Sequence, residues 1–356
     1  MSRVRTPAAF AALALVFVAC AGCGRRPQLV PASADSGTAP PDSFAIAARL
    51  ASERWDAGES ADAAGATAQL LLRAARQRTA KPWVERTHGL LDSLGIAAEV
   101  AGGERAMAVN LFSRSDAEGP SWPYLLWREA DGPRVQAIDG GGLKLVLVST
   151  HGFMPSSLPG DSAQAAILWG KRVGGGQQPI VMVWRHAPGG RWDLAQTLGA
   201  DSLGGTGAGE FESSDNDAEL VTRTFRPTPY FDECATCPHV FHERRFDWTA
   251  AGFQRLEDRL IPSPYATFTA FIAALVSDDR QHAAELAVDP SLIEFARRLD
   301  WQIPTRGRWR VAPATDESAI TMVFFRGQSE AFRVTFESRD SQFVIAGFEP
   351  TARALE

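Results

Sequence analysis

Between residues 106 and 261 the chain breaks into nine short apolar runs, each closed by glycine, proline or a polar turn. They cover 107–112, 124–127, 143–148, 166–169, 180–185, 192–198, 220–225, 240–246 and 253–257. Runs of this length, rich in β-branched and aromatic residues and punctuated at this spacing, predict strands. Many short strands in one segment restrict the architecture to a sandwich, an open barrel or a partial propeller. The segment supplies too few strands for a complete propeller of four-stranded blades.

Helical patterns flank it. Behind a potential cap at Asp42-Ser43, Phe44, Ala47, Leu50, Ala51 and Trp55 fall on one face, and 61–77 and 82–94 repeat the spacing. No fixed period recurs over three or more units, so these helices are expected to cap the next domain rather than to form a repeat array. After residue 262, an apolar helix at 266–276 carries Phe268, Phe271, Ile272 and Leu275 on one side. Helices at 282–288 and 290–299 follow, with Pro290 placed near a start behind Asp289. Strand-like runs then occupy 309–311, 320–325, 331–336 and 343–348. Helices followed by an antiparallel meander resemble the cone-shaped α+β fold of nuclear-transport-factor-2-like domains, over about the last 90 residues. That resemblance rests on element order and implies no single function, because the superfamily hosts enzymes, ligand-binding modules and structural domains.

The predicted class is α+β: an N-terminal helical segment (42–102), a central antiparallel β-rich domain (103–262), and an α+β domain (263–356) of helices followed by an antiparallel β meander.

The first residues form a separate unit. Arg3 and Arg5 precede an uncharged apolar run from Pro7 to Ala19, then Cys20 and Cys23 stand ahead of Arg25-Arg26. The run is about 13 residues long, short of the roughly 20 that cross a bilayer. Basic head, apolar middle and small residue before cysteine resemble a bacterial lipoprotein signal peptide. The resemblance implies removal of residues 1–19 and acylation of the new N-terminal cysteine, palmitate included. Cys20 suits the pattern better than Cys23, whose upstream position is a cysteine where an apolar residue is usual; Cys23 is the alternative. Ala21 rather than Asp follows Cys20, which in the enterobacterial sorting pattern implies outer-membrane retention, the body facing the periplasm or the surface. Two or more acyl chains anchor stably where one does not. Residues 20–41, with Pro31, Pro40, Pro41 and scattered Ser and Gly, read as a flexible tether.

Losing residues 1–19 removes two arginines and no acid, taking the formal charge from −6 to −8. A net acidic chain lacks the basic surface that neutralises phosphates, so no nucleic-acid partner is expected. Four cysteines, one given to lipid, are too few for a disulfide-built scaffold. The ten tryptophans are expected in the core and sheets, with a glycan-stacking platform as a second use. The acidic stretch 215–221 lacks the turn glycine and oxygen alternation of a calcium loop and reads as a solvated turn.

Candidate chemistry gathers once, at Phe231-Asp-Glu-Cys-Ala-Thr-Cys-Pro-His-Val-Phe-His242, where Cys234, Cys237, His239 and His242 fall within nine residues. Pro238 separates the second cysteine from His239, against a c-type haem site. The pair lies between strand-like runs rather than at a helix start, against a thioredoxin-like thiol. A Cys234–Cys237 disulfide stapling a hairpin loop in an oxidising compartment is the preferred reading. Zinc on Cys234, Cys237, His239 and His242 remains the alternative, although finger sites place a dozen or more residues between ligand pairs. No catalytic residue and no cofactor are expected. The expected role is binding or scaffolding in the cell envelope, with an envelope protein or glycan as partner and the membrane held through lipid. The alternative is an envelope hydrolase or metal-dependent protein using residues 234–242.

Overall fold

Residues 43–351 are described by the structure, a computed structural model, apart from 59, 77–80, 113–119, 140–144, 155–162, 174–175, 187–189, 215–216, 235, 250 and 312–319. The signal segment 1–19, the tether 20–41 with Cys20 and Cys23, and Asp215 and Asn216 of the acidic stretch lie outside the described residues.

Helices α1 (Ser43–Asp56), α2 (Ser60–Arg76) and α3 (Trp83–Ser93) form where the apolar spacing places them. In α1 Ala51 and Trp55 are buried, while Leu50, expected on the same face, is 44% exposed. The cause is a narrow contact, since α1 packs chiefly on α2. Trp55 closes that contact by donating its indole N–H to Thr67 Oγ1 at 3.0 Å.

Next come three antiparallel meanders of four strands each. The first holds β1 (Ala98–Gly102), β2 (Ala106–Phe112), β3 (Ser121–Glu129) and β4 (Gly132–Ala137). The second holds β5 (Leu145–Met154), β6 (Ala163–Val173), β7 (Gly176–His186) and β8 (Trp192–Leu198). A short α4 (Ala200–Leu203) leads to the third, β9 (Thr206–Ser214), β10 (Asp217–Phe225), β11 (Phe241–Thr249) and β12 (Gly252–Leu260). Within each meander neighbours in sequence are neighbours in the sheet, so none is closed into a barrel by hydrogen bonds.

Side-chain alternation stacks these sheets face to face. Met107, Val109 and Leu111 of β2 turn to the helices, packing with Ala63, Leu71 and Trp83. Ala106 and Ala108 turn the other way, against Ile167, Trp169 and Met182 of the second sheet. That sheet is apolar on both faces: Ala166, Leu168, Val181 and Val183 meet Leu220, Phe246 and Phe253 of the third. Eight of the ten tryptophans are buried.

The stack has a repeated clasp. Gln136 on β4 donates to Trp192 O at 2.8 Å and accepts from Trp192 N at 3.0 Å. Gln196 on β8 does the same to Phe253, at 2.9 Å in both directions. Gly252, at φ 111°, leaves room for this approach; a Cβ there would sit 2.3 Å from Gln196 Oε1.

The third sheet ends the series because its outer face carries charge instead of apolar groups. Glu243, 2% exposed, accepts from Arg223 at 3.0 Å and from Arg259 at 2.5 Å, with Arg245 at 3.4 Å. Burial alone would push the Glu243 carboxyl up, but Arg259 and Arg223 outweigh it and hold the group below the usual carboxylate range.

The C-terminal part packs α5 (Pro264–Val276), α6 (Arg280–Glu285) and α7 (Ser291–Arg298) on a fourth antiparallel sheet of β13 (Trp309–Val311), β14 (Thr321–Arg326), β15 (Glu330–Arg339) and β16 (Gln342–Pro350). Ser263 caps α5 by accepting from Ala266 N, with Pro264 in the first turn. Phe268, Phe271, Trp301, Trp309, Phe324 and Phe332 fill the core. The described chain is thus α+β with antiparallel sheets throughout.

One loop crosses between the two cores. Residues 226–240 leave β10, and the backbone of Tyr230 and Asp232 brackets Trp309 with two 2.8 Å hydrogen bonds. Phe231 thereby enters the C-terminal core at 2% exposure, and Cys237 and Val240 pack against it. The segment that looked like a hairpin loop of the third sheet is therefore a tie to the C-terminal part.

Candidate functional site

The crossing loop carries the thiols and imidazoles singled out in the sequence. Cys234 and Cys237 are bonded to each other, with Cα atoms 5.0 Å apart, and Cys237 N donates to Cys234 O at 3.1 Å to close the turn. Cys234 is exposed, while Cys237 is half-buried. Arg308 holds the loop start by pairing with Asp232 and donating to Phe231 O.

The two histidines diverge. His239 stacks on Phe225 with ring centroids 3.6 Å apart and faces Glu233 Oε2 through Nδ1 at 3.3 Å. His242 lies on the third sheet, its Nδ1 2.9 Å from Asp258 Oδ1, while Arg244 donates to Asp258 Oδ2 at 2.8 Å. Each imidazole is thus committed to its own carboxylate and the sulfurs to each other. Among the described residues no group of three or more His, Cys, Asp or Glu side chains is placed to hold a metal ion.

Glu233, absent from the sequence candidates, organises the site. Its side chain is 6% exposed, and Oε1 accepts from the Tyr265 hydroxyl at 2.8 Å. Burial would raise its pKa, but hydrogen bonds from His239, Thr228 and Tyr265 together hold the carboxyl below its ordinary 4.5. Tyr265 moves the other way: burial first, then the Glu233 charge, push its hydroxyl far above the usual phenol range. The three side chains, Glu233, His239 and Tyr265, hold the loop to α5 through Tyr265. The signal available in the sequence was Glu233 itself, adjacent to Cys234, but nothing there linked it to Tyr265, 32 positions on.

Because its folded pKa is lowered, Glu233 adds stability at pH values above its unfolded value, and that stability is lost as pH falls through the folded value. Asp258, held down by His242 and Arg244 against its burial, has the same sign. Glu99 on β1 opposes them: burial outweighs its bonds to Leu147 N and Asn110, so its pKa is raised and its contribution is lost as pH rises. Glu233→Gln is therefore expected to lower the urea midpoint at pH 7, with the gap to wild type closing as pH falls below about 4. A gap that stayed constant down to acid pH would contradict the assignment.

Beside His239 lies a cavity of about 220 Å³. Phe241, Ile261, Pro262, Met322 and Phe343 give it apolar walls, and His239, Ser263 and Tyr265 supply the polar edge. No known protein-family model matches the chain, and no curated protein matches it.

Proposed function

We propose that this protein is a lipid-anchored lipoprotein of the bacterial cell envelope with a non-enzymatic binding or scaffolding role. Support for the anchor comes from the sequence: a basic head, a 7–19 apolar run too short to span, and Cys20 after Ala19. Support for the non-enzymatic role comes chiefly from the loop that holds the candidate chemistry. Its carboxylate, phenol and imidazole are tied to one another, and its sulfurs are joined. In this reading residues 1–19 are removed, 20–41 form the tether, Cys20 rather than Cys23 carries lipid, and the body divides at about residues 103 and 263. The nuclear-transport-factor-2-like resemblance of 263–356 is retained, supported by three helices preceding a four-stranded meander. Among the described residues no helix is long and apolar enough to cross a membrane.

The cavity beside His239 gives a second reading its one foothold: an envelope hydrolase or metal-dependent protein using residues 234–242. That reading requires His239→Asn to abolish an activity or a bound metal, whereas a scaffold retains function.

Cys20→Ser is expected to shift the protein from the membrane fraction to the soluble fraction and to remove incorporation of labelled palmitate. Cys23→Ser should leave both unchanged. Retention of label and membrane association by Cys20→Ser would move the anchor to Cys23, whereas absence of label from the unaltered protein would end the lipoprotein reading.

A further inference from the structure

One face of the N-terminal helix pair is apolar and uncovered. On α1, Ala45, Ile46, Arg49, Leu50 and Glu53 form a stripe turned away from buried Ala51 and Trp55, and all five are exposed, Ile46 at 36% and Leu50 at 44%. Ile46 and Leu50 are four positions apart, so their side chains are neighbours on the helix surface.

The charge around this stripe is lopsided. Helices α1 and α2 run antiparallel: Arg73 donates to Ser43 O at 2.9 Å, while Trp55 reaches Thr67 and Arg54 reaches Asp62 O. The Ser43 end of the pair therefore carries exposed Arg73 and Arg76, with Arg49 in the stripe itself, whereas Asp56 and Asp62 lie at the other end. Arg49 is paired with Glu53 at 3.5 Å, but both side chains are more than half exposed and such a pair is easily exchanged.

The chain enters at the basic end, since 22 residues separate Cys20 from Ser43. A coil of that length keeps its ends about 25 Å apart on average and about 75 Å at most. Lipid on Cys20 would thus hold this end of α1 close to the bilayer, at an effective concentration far above that of a free chain.

We infer that the stripe of Ile46 and Leu50, flanked by Arg49, Arg73 and Arg76, docks on the anionic phospholipid surface of the membrane that carries the anchor. The two apolar side chains enter the headgroup boundary and the guanidiniums meet lipid phosphates. The inference rests on the proposed lipid anchor and gives the body a membrane-facing side. A contact this small does not replace the lipid, in keeping with a soluble Cys20→Ser protein.

The test takes the mature chain made without lipid, residues 21–356. It is sedimented with vesicles of phosphatidylcholine containing phosphatidylglycerol, and separately with phosphatidylcholine alone, at millimolar lipid. Binding should be at least tenfold stronger to the anionic vesicles, because each arginine near an anionic surface is worth about fivefold. Ile46→Ser with Leu50→Ser should weaken it about tenfold, Arg76→Gln about fivefold, and Arg333→Ala, on β15, not at all. All four side chains are exposed, so the variants should fold; the comparison of the two lipids on the unaltered chain decides the matter even if one does not. The inference is overturned if neither vesicle binds, if both bind equally, or if the Ile46 and Leu50 substitutions leave binding unchanged. Dimerisation through the same two residues in place of vesicle binding would assign the face to a second copy and also overturn it. Fractionation of Cys20→Ser reads the anchor and the vesicle titration reads the face, so each can fail alone.

Discussion

Trp301→Ala should destabilise the protein by about 3–5 kcal/mol, the cost of emptying a large aromatic position in a packed core. Trp301 is 1% exposed. Its ring centroid lies 4.2 Å from that of Phe348, 5.0 Å from Phe332, 5.2 Å from Trp309 and 5.6 Å from Phe268. These partners come from α5 and from three strands of the fourth sheet, so no single side chain can move to fill the gap. The indole N–H is buried without a partner, which points to packing rather than hydrogen bonding as the source of the effect. Trp301→Phe should accordingly recover part of the loss. Urea unfolding read by the circular dichroism of the full chain measures both; a loss below about 1 kcal/mol for Trp301→Ala would show that this core is not close-packed.

Arg326→Met is expected to cost about 3 kcal/mol, the scale for removing one partner from a buried charged network. Arg326 on β14 is 2% exposed and ends α7 from across the core. Its two terminal nitrogens donate to Asp300 O at 2.9 Å and Leu299 O at 2.8 Å, and Nε donates to Glu330 at 2.5 Å. The guanidinium also lies 5.4 Å from the Trp309 ring centroid and 5.7 Å from that of Phe332. Methionine keeps the volume but removes the donors to both carbonyls, so that Leu299 O loses its Arg326 bond and Asp300 O keeps only Ile303 N at 3.1 Å, and Glu330 loses its buried cation. Lysine keeps the charge but lacks the planar fork that spans both carbonyls, so Arg326→Lys should fall between. Arg333→Ala is the control. Its pair with Glu349 is more than half exposed on both sides, and its loss should stay within about 0.5 kcal/mol. Equal effects of Arg326→Met and Arg333→Ala would contradict the account.

Much of the secondary structure was legible because apolar residues recur at the spacing that burial requires. The strands easiest to see are those covered on both faces: 166–169 and 180–184 are continuous apolar runs because β6 and β7 pack between two other sheets. The missed strands β1, β4 and β9 sit at sheet edges, and their sequences, Ala-Glu-Val-Ala-Gly, Gly-Pro-Arg-Val-Gln-Ala and Thr-Gly-Ala-Gly-Glu-Phe-Glu-Ser-Ser, carry little apolar signal. The shared clasp was hidden for a related reason. Gln136 and Gln196, 60 positions apart, make the same backbone clasp, but their recipients, Trp192 and Phe253, share no residue type.

The site was half legible. Clustering drew attention to residues 231–242, and the expected oxidising compartment pointed to the disulfide. The partners of the histidines could not be read, since Phe225 precedes the segment, Asp258 follows it across a hairpin, and Tyr265 belongs to a helix of another core. Nor did any pattern show that a turn-rich loop would send Phe231 away from its own sheet, because a single buried aromatic residue has no periodicity.

As proposed, the protein is lipid-anchored in the envelope and the thiols and imidazoles of residues 234–242 are tied up in structure. Intact mass of the protein isolated from its native envelope, measured without reductant after thiol alkylation, tests it most directly. The account predicts a chain beginning at Cys20 with added acyl mass, and Cys234 and Cys237 resistant to alkylation until reduced. An unlipidated N-terminus with freely alkylated Cys234 and Cys237 would contradict it.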